Sequence, residues 1–410
     1  MVVADSNSTE VPVRLRLGLA GFGAAARMVL QSLVTWGNFD LVGAADTDPV
    51  VREAFTAQWG APAYSSLDEL IDNGHLDALY IATPTKFHQD MTIDALDHGL
   101  HVLVEKPMAL TLASGLAMIE AANRNGRLLL ENHKRSVDRP IITMWKLIEA
   151  GLLGDVRAVH RWHFSSWFYR PRAEEELDPS TGGIVLRQGA HEFDIIRLLA
   201  QSKPVKVWGW TGDYDPARPG EGSYQATVEF ENGVRATSIY SGYDHFDSGE
   251  FTTGLLDPAQ IGKTWRASTE REAGVDEAEV KRRTIEPSAF GAGQRQDSNL
   301  FGFTLLNGSL ADARPAQDAN VLLYGRAGRS EYRLDGPSGT DLIARELYEG
   351  IVNGAPLIHD GGWGLAVLEL CLAVRRSAES GGGAVELQHQ YVLPPATISR
   401  VIGQRSPVAL

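Results

Sequence analysis

The rhythm of apolar and polar positions changes near residue 137. Before it, the runs VRLRLGLA (13–20), FDLVGAAD (39–46), LDALYIATPT (76–85), HVLVEKP (101–107) and RLLLENHKR (127–135) have strand length. Between them, residues 24–36, 49–59, 86–98 and 111–124 carry helical spacing. Strands alternating with helices of about ten or more residues predict a parallel, doubly wound sheet. After it, a helix at 139–150 leads into VRAVHRWHFSSW, which alternates with a period of two. VKVWGWTGD, YQATVEFENGVRATSIYSG and strands near 300–312 and 320–334 follow. Asn232-Gly233 marks a hairpin, because both residue types tolerate the positive φ of a tight turn. The second half therefore predicts an open antiparallel sheet, closed by helices at 338–353 and 361–380 with Gly381 to Gly383 as a stop. The fold class is α/β followed by α+β.

Composition narrows the partners. The chain has 410 residues, 43% hydrophobic and 22% charged, with a net charge of −14. That field disfavours nucleic acid and anionic membranes, and an anionic substrate would need a local cationic pocket. One cysteine, Cys371, excludes an intrachain disulfide and suits a reducing compartment, so a cytoplasmic location is expected. The first dozen residues lack a secretory pattern and are expected to be disordered, and no apolar run reaches transmembrane length.

Candidate chemistry gathers at strand ends. Gly21-Phe22-Gly23-Ala24-Ala25-Ala26 follows a strand and opens a helix, where glycines admit a pyrophosphate and the helix N-terminus attracts it. Asp46 ends the second strand, where a carboxylate bonds ribose hydroxyls and repels a 2′-phosphate, so NAD is the expected cofactor. Thr83 and Pro84 end the third strand, and His88 is counted with them as a cofactor contact. Glu105-Lys106-Pro107 ends the fourth, with Glu105 and Lys106 as further expected cofactor contacts; there desolvation and a neighbouring cation would depress the lysine's pKa. The boundaries are then a NAD-binding domain at 13–136 and a substrate-binding and oligomerisation domain at 137–410. Residues 244–299, long, charged and rich in Gly, Asp and Pro, read as an insertion, either a lid or a dimer arm.

In LRQGAHEFD, Arg187, His191 and Asp194 fall at i, i+4 and i+7, on one helix face, where Asp194 could orient His191 or cap nearby backbone. Arg187 could hold a carboxylate or pair with Glu192 or the acids at 174–176. His160 and His163, three apart on a strand, point to opposite faces and are not joint metal ligands. No Cys, His or carboxylate cluster has metal spacing. Trp162, Phe164, Trp167, Phe168 and Tyr169 could wall a flat ring substrate or form a dimer face; Phe164, Phe168 and Arg170 share parity if the strand persists.

GFGAAAR, EKP, NHKRS and GGIVLRQGAHEFD together resemble the Gfo/Idh/MocA oxidoreductase family over nearly the whole chain. The resemblance implies a Rossmann domain and an open antiparallel sheet that covers the nicotinamide. It implies that Lys106 and His191 handle the hydroxyl proton, and that copies associate through the sheet as a homodimer or homotetramer. Many sugar- and polyol-oxidising members carry an aspartate where this chain has Arg187. Arginine cannot accept a hydrogen bond but suits a carboxylate bidentately. YRPRAEEELDPSTGG, YSGYDHFDS and HDGGWGLAVLELCLA are most similar to phthalate dihydrodiol dehydrogenases, which implies an anionic ring cis-diol as substrate. Arg187, Asp194, Lys134, Arg135, Trp167, Tyr169 and Arg170 are then the expected substrate contacts. A neutral sugar, glycoside or polyol is the alternative substrate, and a non-catalytic NAD-binding regulator the alternative class.

Overall fold

The computed structural model describes residues 13–169, 178, 180, 182–216, 219–253, 301–403 and 405–410. The first half forms a six-stranded sheet of β1 (Leu15–Ala20), β2 (Phe39–Ala45), β3 (Ala63–Tyr64), β4 (Ala78–Ile81), β5 (His101–Val104) and β6 (Leu129–Glu131). Its order is β3-β2-β1-β4-β5-β6, and every neighbouring pair is parallel. The order reverses between β1 and β4, so the crevice beyond their C-terminal ends is the ligand edge. Four of the connecting helices, Ala24–Trp36, Pro49–Trp59, His88–Asp97 and Leu112–Asn125, follow the expected spacing.

A short β3 and the helix Leu67–Gly74 were not expected, because two-residue strands carry no periodicity. The helix had a signal in Ser66-x-x-Glu69: Ser66 accepts from the Glu69 N–H at 3.2 Å, and Glu69 reaches back to the Ser65 N–H at 2.9 Å.

The second sheet has ten strands, β7 (Val156–Phe164), β8 (Pro204–Gly212), β9 (Ser223–Phe230), β10 (Arg235–Ser241), β11 (Phe303–Gly308), β12 (Ala311–Pro315), β13 (Val321–Gly325), β14 (Gly328–Arg333), β15 (Val385–Glu386) and β16 (Val408–Ala409). The order is β15-β8-β9-β10-β7-β11-β12-β13-β14-β16. It is mixed rather than purely antiparallel, since β10 runs parallel to β7. The reason is connectivity: the helix Ala190–Ala200 carries the chain across before the β9–β10 hairpin returns beside β7. The two strands expected near 300–312 and 320–334 are two hairpins.

Alternation along β7 buries Val159, Arg161 and His163 on the face toward the helix Ala190–Ala200, and turns His160, Trp162 and Phe164 to the far face. The strand ends at Phe164 and gives way to a 3-10 turn, Trp167–Tyr169, so the parity expected through Phe168 and Arg170 is broken. Trp162 and Phe164 instead meet Phe246, Phe251 and Phe303 on the far face, away from the helix that carries His191.

The closing helices join the halves. The helix Thr340–Asn353 packs on Ala24–Trp36, with Ser32 Oγ donating to Asp341 at 2.7 Å. The helix Gly361–Glu379, capped by Asp360 on the Trp363 N–H at 2.8 Å, lies between β6 and β8. An added Cβ at Gly364 would press on the Glu131 carboxylate, so that side chain would have to shift.

Candidate active site

Gly21 follows β1 at φ +86°, and an added Cβ would press on the Ala82 carbonyl at 3.0 Å, so the turn requires glycine. Gly23 faces open space and leaves the first turn of the helix Ala24–Trp36 without a side-chain cap. Uncapped N–H groups beside a glycine cradle are what a pyrophosphate needs, so these residues fit a dinucleotide. Phe22 is buried edge-on to Phe55, and its N–H donates to Asp46 at 3.0 Å. The second Asp46 oxygen accepts the Asp48 N–H at 3.0 Å, which aims the carboxylate toward the glycine turn and leaves lone pairs for ribose hydroxyls. Pro84 is exposed and Thr83 half-buried at the end of β4, beside that turn.

Two expected cofactor contacts face inward instead. His88 is 1% exposed, with Nδ1 3.0 Å from the Pro107 carbonyl and Nε2 2.9 Å from the Thr83 carbonyl. It ties the β4 and β5 loops together. Burial lowers its pKa despite both carbonyls, so the ring is neutral at pH 7 and donates to one of them at a time. Glu105 is buried and accepts from the Tyr80 hydroxyl at 2.6 Å and from Asn132 at 2.5 Å. The strand end was legible; which of its side chains turn inward depends on loops that only packing specifies.

Lys106, half-buried beside Glu105, donates from Nζ to the Arg187 carbonyl at 2.7 Å. That carbonyl lies in a single π-helical turn, Val185–Gly189, directly before the helix Ala190–Ala200. A π-turn shifts the ladder of backbone bonds and is frequent at functional sites. Arg187 is half-buried and its Nε has no hydrogen-bond partner among the described residues. Glu192, one proposed partner for it, is taken: Arg161 Nε donates to it at 2.5 Å and His163 lies 3.0 Å away. Residues 174–176 lie outside the described residues.

His191 is 6% exposed, its ring edge-on to Phe301 at 4.8 Å, and its Nδ1 has no partner among the described residues. Burial first, then the positive charges of Lys106, Arg135, His133 and Lys134, push its pKa far below the usual histidine range. Its ring is therefore neutral at pH 7. Arg135 stacks over Phe301 at 4.5 Å and pairs with Asp138 at 3.0 Å; Lys134 lies 3.9 Å from Met28 on the helix that Gly23 opens.

Asp194 corrects an expectation. It shares the His191 helix but is fully buried, accepting from Trp363 Nε1 at 2.8 Å, so it does not meet a substrate. The π-turn and the helix Gly361–Glu379 turn its side of the helix into the interior. Trp167 is half-buried against the core, while the side chain of Tyr169 and all of Arg170 lie outside the described residues, as does most of the 244–299 segment. His160 and His163 do face opposite ways, with His160 bonded to Thr237 at 2.8 Å.

Sequence reasoning missed His133. It is fully buried, with Nε2 2.9 Å from Glu131 and Nδ1 3.7 Å from Asp194. Its only signal was the two-residue spacing from Glu131 at a strand end. No group of three or more His, Cys, Asp or Glu among the described residues is arranged to hold a metal ion, and no helix among them is long and apolar enough to cross a membrane.

A glycine turn at a topological switch point, Lys106 just after β5 of the same sheet and a buried, neutral His191 in the second half fit a dinucleotide-dependent oxidoreductase. Residues 15–133 match the oxidoreductase family with the NAD-binding Rossmann fold, and residues 141–253 match the GFO/IDH/MocA C-terminal domain. The chain belongs to the Gfo/Idh/MocA oxidoreductase family. It is 34% identical, over 88% of its length and 94% of the relative's, to a 1-carboxy-3-chloro-3,4-dihydroxycyclohexa-1,5-diene dehydrogenase of Comamonas testosteroni. It is 29% identical, over 61% of its length and 73% of the relative's, to an inositol 2-dehydrogenase of Leifsonia xyli. Among solved structures, a chain from Bordetella bronchiseptica RB50 assigned as a dehydrogenase superposes with a TM-score of 0.82 at 33% identity, over 92% of this chain and 100% of that one.

Proposed function

We propose that this oxidoreductase oxidises a secondary hydroxyl of a carboxylated cyclic cis-diol of the phthalate dihydrodiol type, with NAD as acceptor. One observation carries the reading. The four charges that most depress the His191 pKa, those of Lys106, Arg135, His133 and Lys134, are positive, in a chain whose net charge is −14. Such a pocket suits an anionic ring and is a poor choice for a neutral polyol. The Comamonas relative acts on a carboxylated cyclohexadiene diol by its name, which agrees.

NAD held at Gly21, Gly23 and Asp46 supplies the hydride acceptor. Neutral His191 takes the hydroxyl proton, and the Lys106 ammonium, steadied by the Arg187 carbonyl, donates to the oxygen as negative charge develops. The C–H bond gives up a hydride and the O–H bond a proton, leaving a ketone that tautomerises to an aromatic diol. Arg187 and Arg135 offer guanidinium groups to a ring carboxylate. The reading extends to aromatic-compound catabolism in the cytoplasm and to a homodimer or homotetramer through the far face of the second sheet.

The test is NADH formation with cis-diols matched with and without ring carboxylates. Acids should turn over in preference. Arg187→Ala should raise their KM at little cost in kcat, and Lys106→Ala should lower kcat by about 10²–10⁴-fold. Preference for neutral polyols, with Arg187→Ala unchanged, would return the substrate to the sugar and polyol class.

A further inference from the structure

We propose that His133 is a positioning residue for this reaction: paired with carboxylates on both sides, it ties the Lys106 loop to the helix of His191 and sets a buried positive charge behind that histidine. The proposal rests on His191 being the proton acceptor.

The link through His133 is one of charge contacts: neither of its ring nitrogens makes a hydrogen bond among the described residues. Glu131 Oε1 accepts the N–H of Met108 at 2.8 Å, two residues beyond Lys106. Its other oxygen lies 2.9 Å from His133 Nε2. His133 Nδ1 lies 3.7 Å from Asp194 Oδ2, and Asp194 stands three residues after His191 on the same helix. His133, Glu131 and Asp194 are all at most 2% exposed. Trp363 holds the remaining Asp194 oxygen at 2.8 Å.

Both ring nitrogens of His133 therefore face carboxylates in the buried interior. A neutral imidazole carries one N–H and would turn a lone pair toward one of them. Burial works against the charged form, but Glu131 and Asp194 outweigh it and raise the pKa, with Arg197 opposing. His359 lies behind Asp194 at 4.0 Å and is itself held by Glu346 at 2.8 Å. Around His191, the other cations are Lys106, Arg135 and Lys134. These three are half-buried, whereas His133 is fully buried.

The first readout needs no substrate. In the full-length wild-type protein labelled with ¹⁵N at histidine, His133 should carry protons on both ring nitrogens at pH 7. A neutral His133 at pH 7 overturns the proposal. In His133→Gln, checked for an intact fold by its NMR spectrum, the titration midpoint of His191 should move upward. On the same variant, the acid limb of kcat/KM should move up with it, while KM for NAD changes little. An unmoved His191 midpoint in the folded variant also overturns it. A moved midpoint in a protein that turns over no carboxylated diol would instead refute the substrate reading and leave the positioning role standing.

Discussion

At the scale of single residues, the two glycines of the first turn do different work. Gly21 sits at positive φ against the Ala82 carbonyl, whereas Gly23 is exposed, at φ −79°, with nothing near its missing Cβ. Gly21→Ala should lower both stability and NAD affinity, because strain at such a φ costs about 1–3 kcal/mol. Gly23→Ala should unfold within about 0.5 kcal/mol of the parent, as exposed substitutions do. It should still weaken NAD binding, since the methyl enters the cradle. Thermal melts and calorimetric titration with NAD separate the two. Equal loss of stability in both variants would show that the open space beside Gly23 is structural. Gly21, Gly23, Asp46 and Lys106 stood out by residue type at strand ends, whereas His191 stood out on a helix face and drew its role only from the family resemblance. His88, Glu105 and Asp194 were equally visible, but their inward direction was not, because one residue of loop geometry decides whether a side chain meets the cleft or the interior.

At the scale of elements, the site is held where β7 meets the helix Ala190–Ala200. Arg161 on β7 reaches Glu192 at 2.5 Å and Thr304 of β11 at 2.5 Å, and His163 reaches Glu192 at 3.0 Å. Glu192 is fully buried; burial opposes its charge, but Arg161 and His163 outweigh that and lower its pKa. Glu192→Ala would strand Arg161 in the interior and should cost about 3–5 kcal/mol in denaturant unfolding. The pH sign follows. The carboxylate is favoured in the folded state, so its contribution is present above the unfolded pKa, near 4.5, and is lost as pH falls below that through the lower folded value. The wild type should therefore lose stability on acidification through this range more steeply than Glu192→Ala; parallel curves would remove the pair from the account. The alternation of β7 placed His160 and His163 on opposite faces from sequence alone. The partner of His163 lies 29 residues away, beyond the reach of any local pattern.

At the scale of the whole molecule, the C-terminal helices belong to both sheets. Leu365 of the helix Gly361–Glu379 fills the space beside Gly115, and Gly364 lies against Glu131. A fragment ending at residue 136 would expose these surfaces and leave the ion pair of Glu131 with His133 to solvent. It should lack a cooperative thermal transition by circular dichroism; a sharp transition would show that the first half folds alone. The chain by itself determined the doubly wound first half, the strand-rich second half and the glycine turn after the first strand. Each of these is written in local periodicity or in a residue type that a strand end requires. Tertiary structure decided the parallel β7–β10 pairing, the π-turn carbonyl that receives Lys106, and the burial of Asp194 beside His133. Those depend on contacts between segments far apart in the chain, where direction and neighbours, rather than residue identity, settle what a side chain can do.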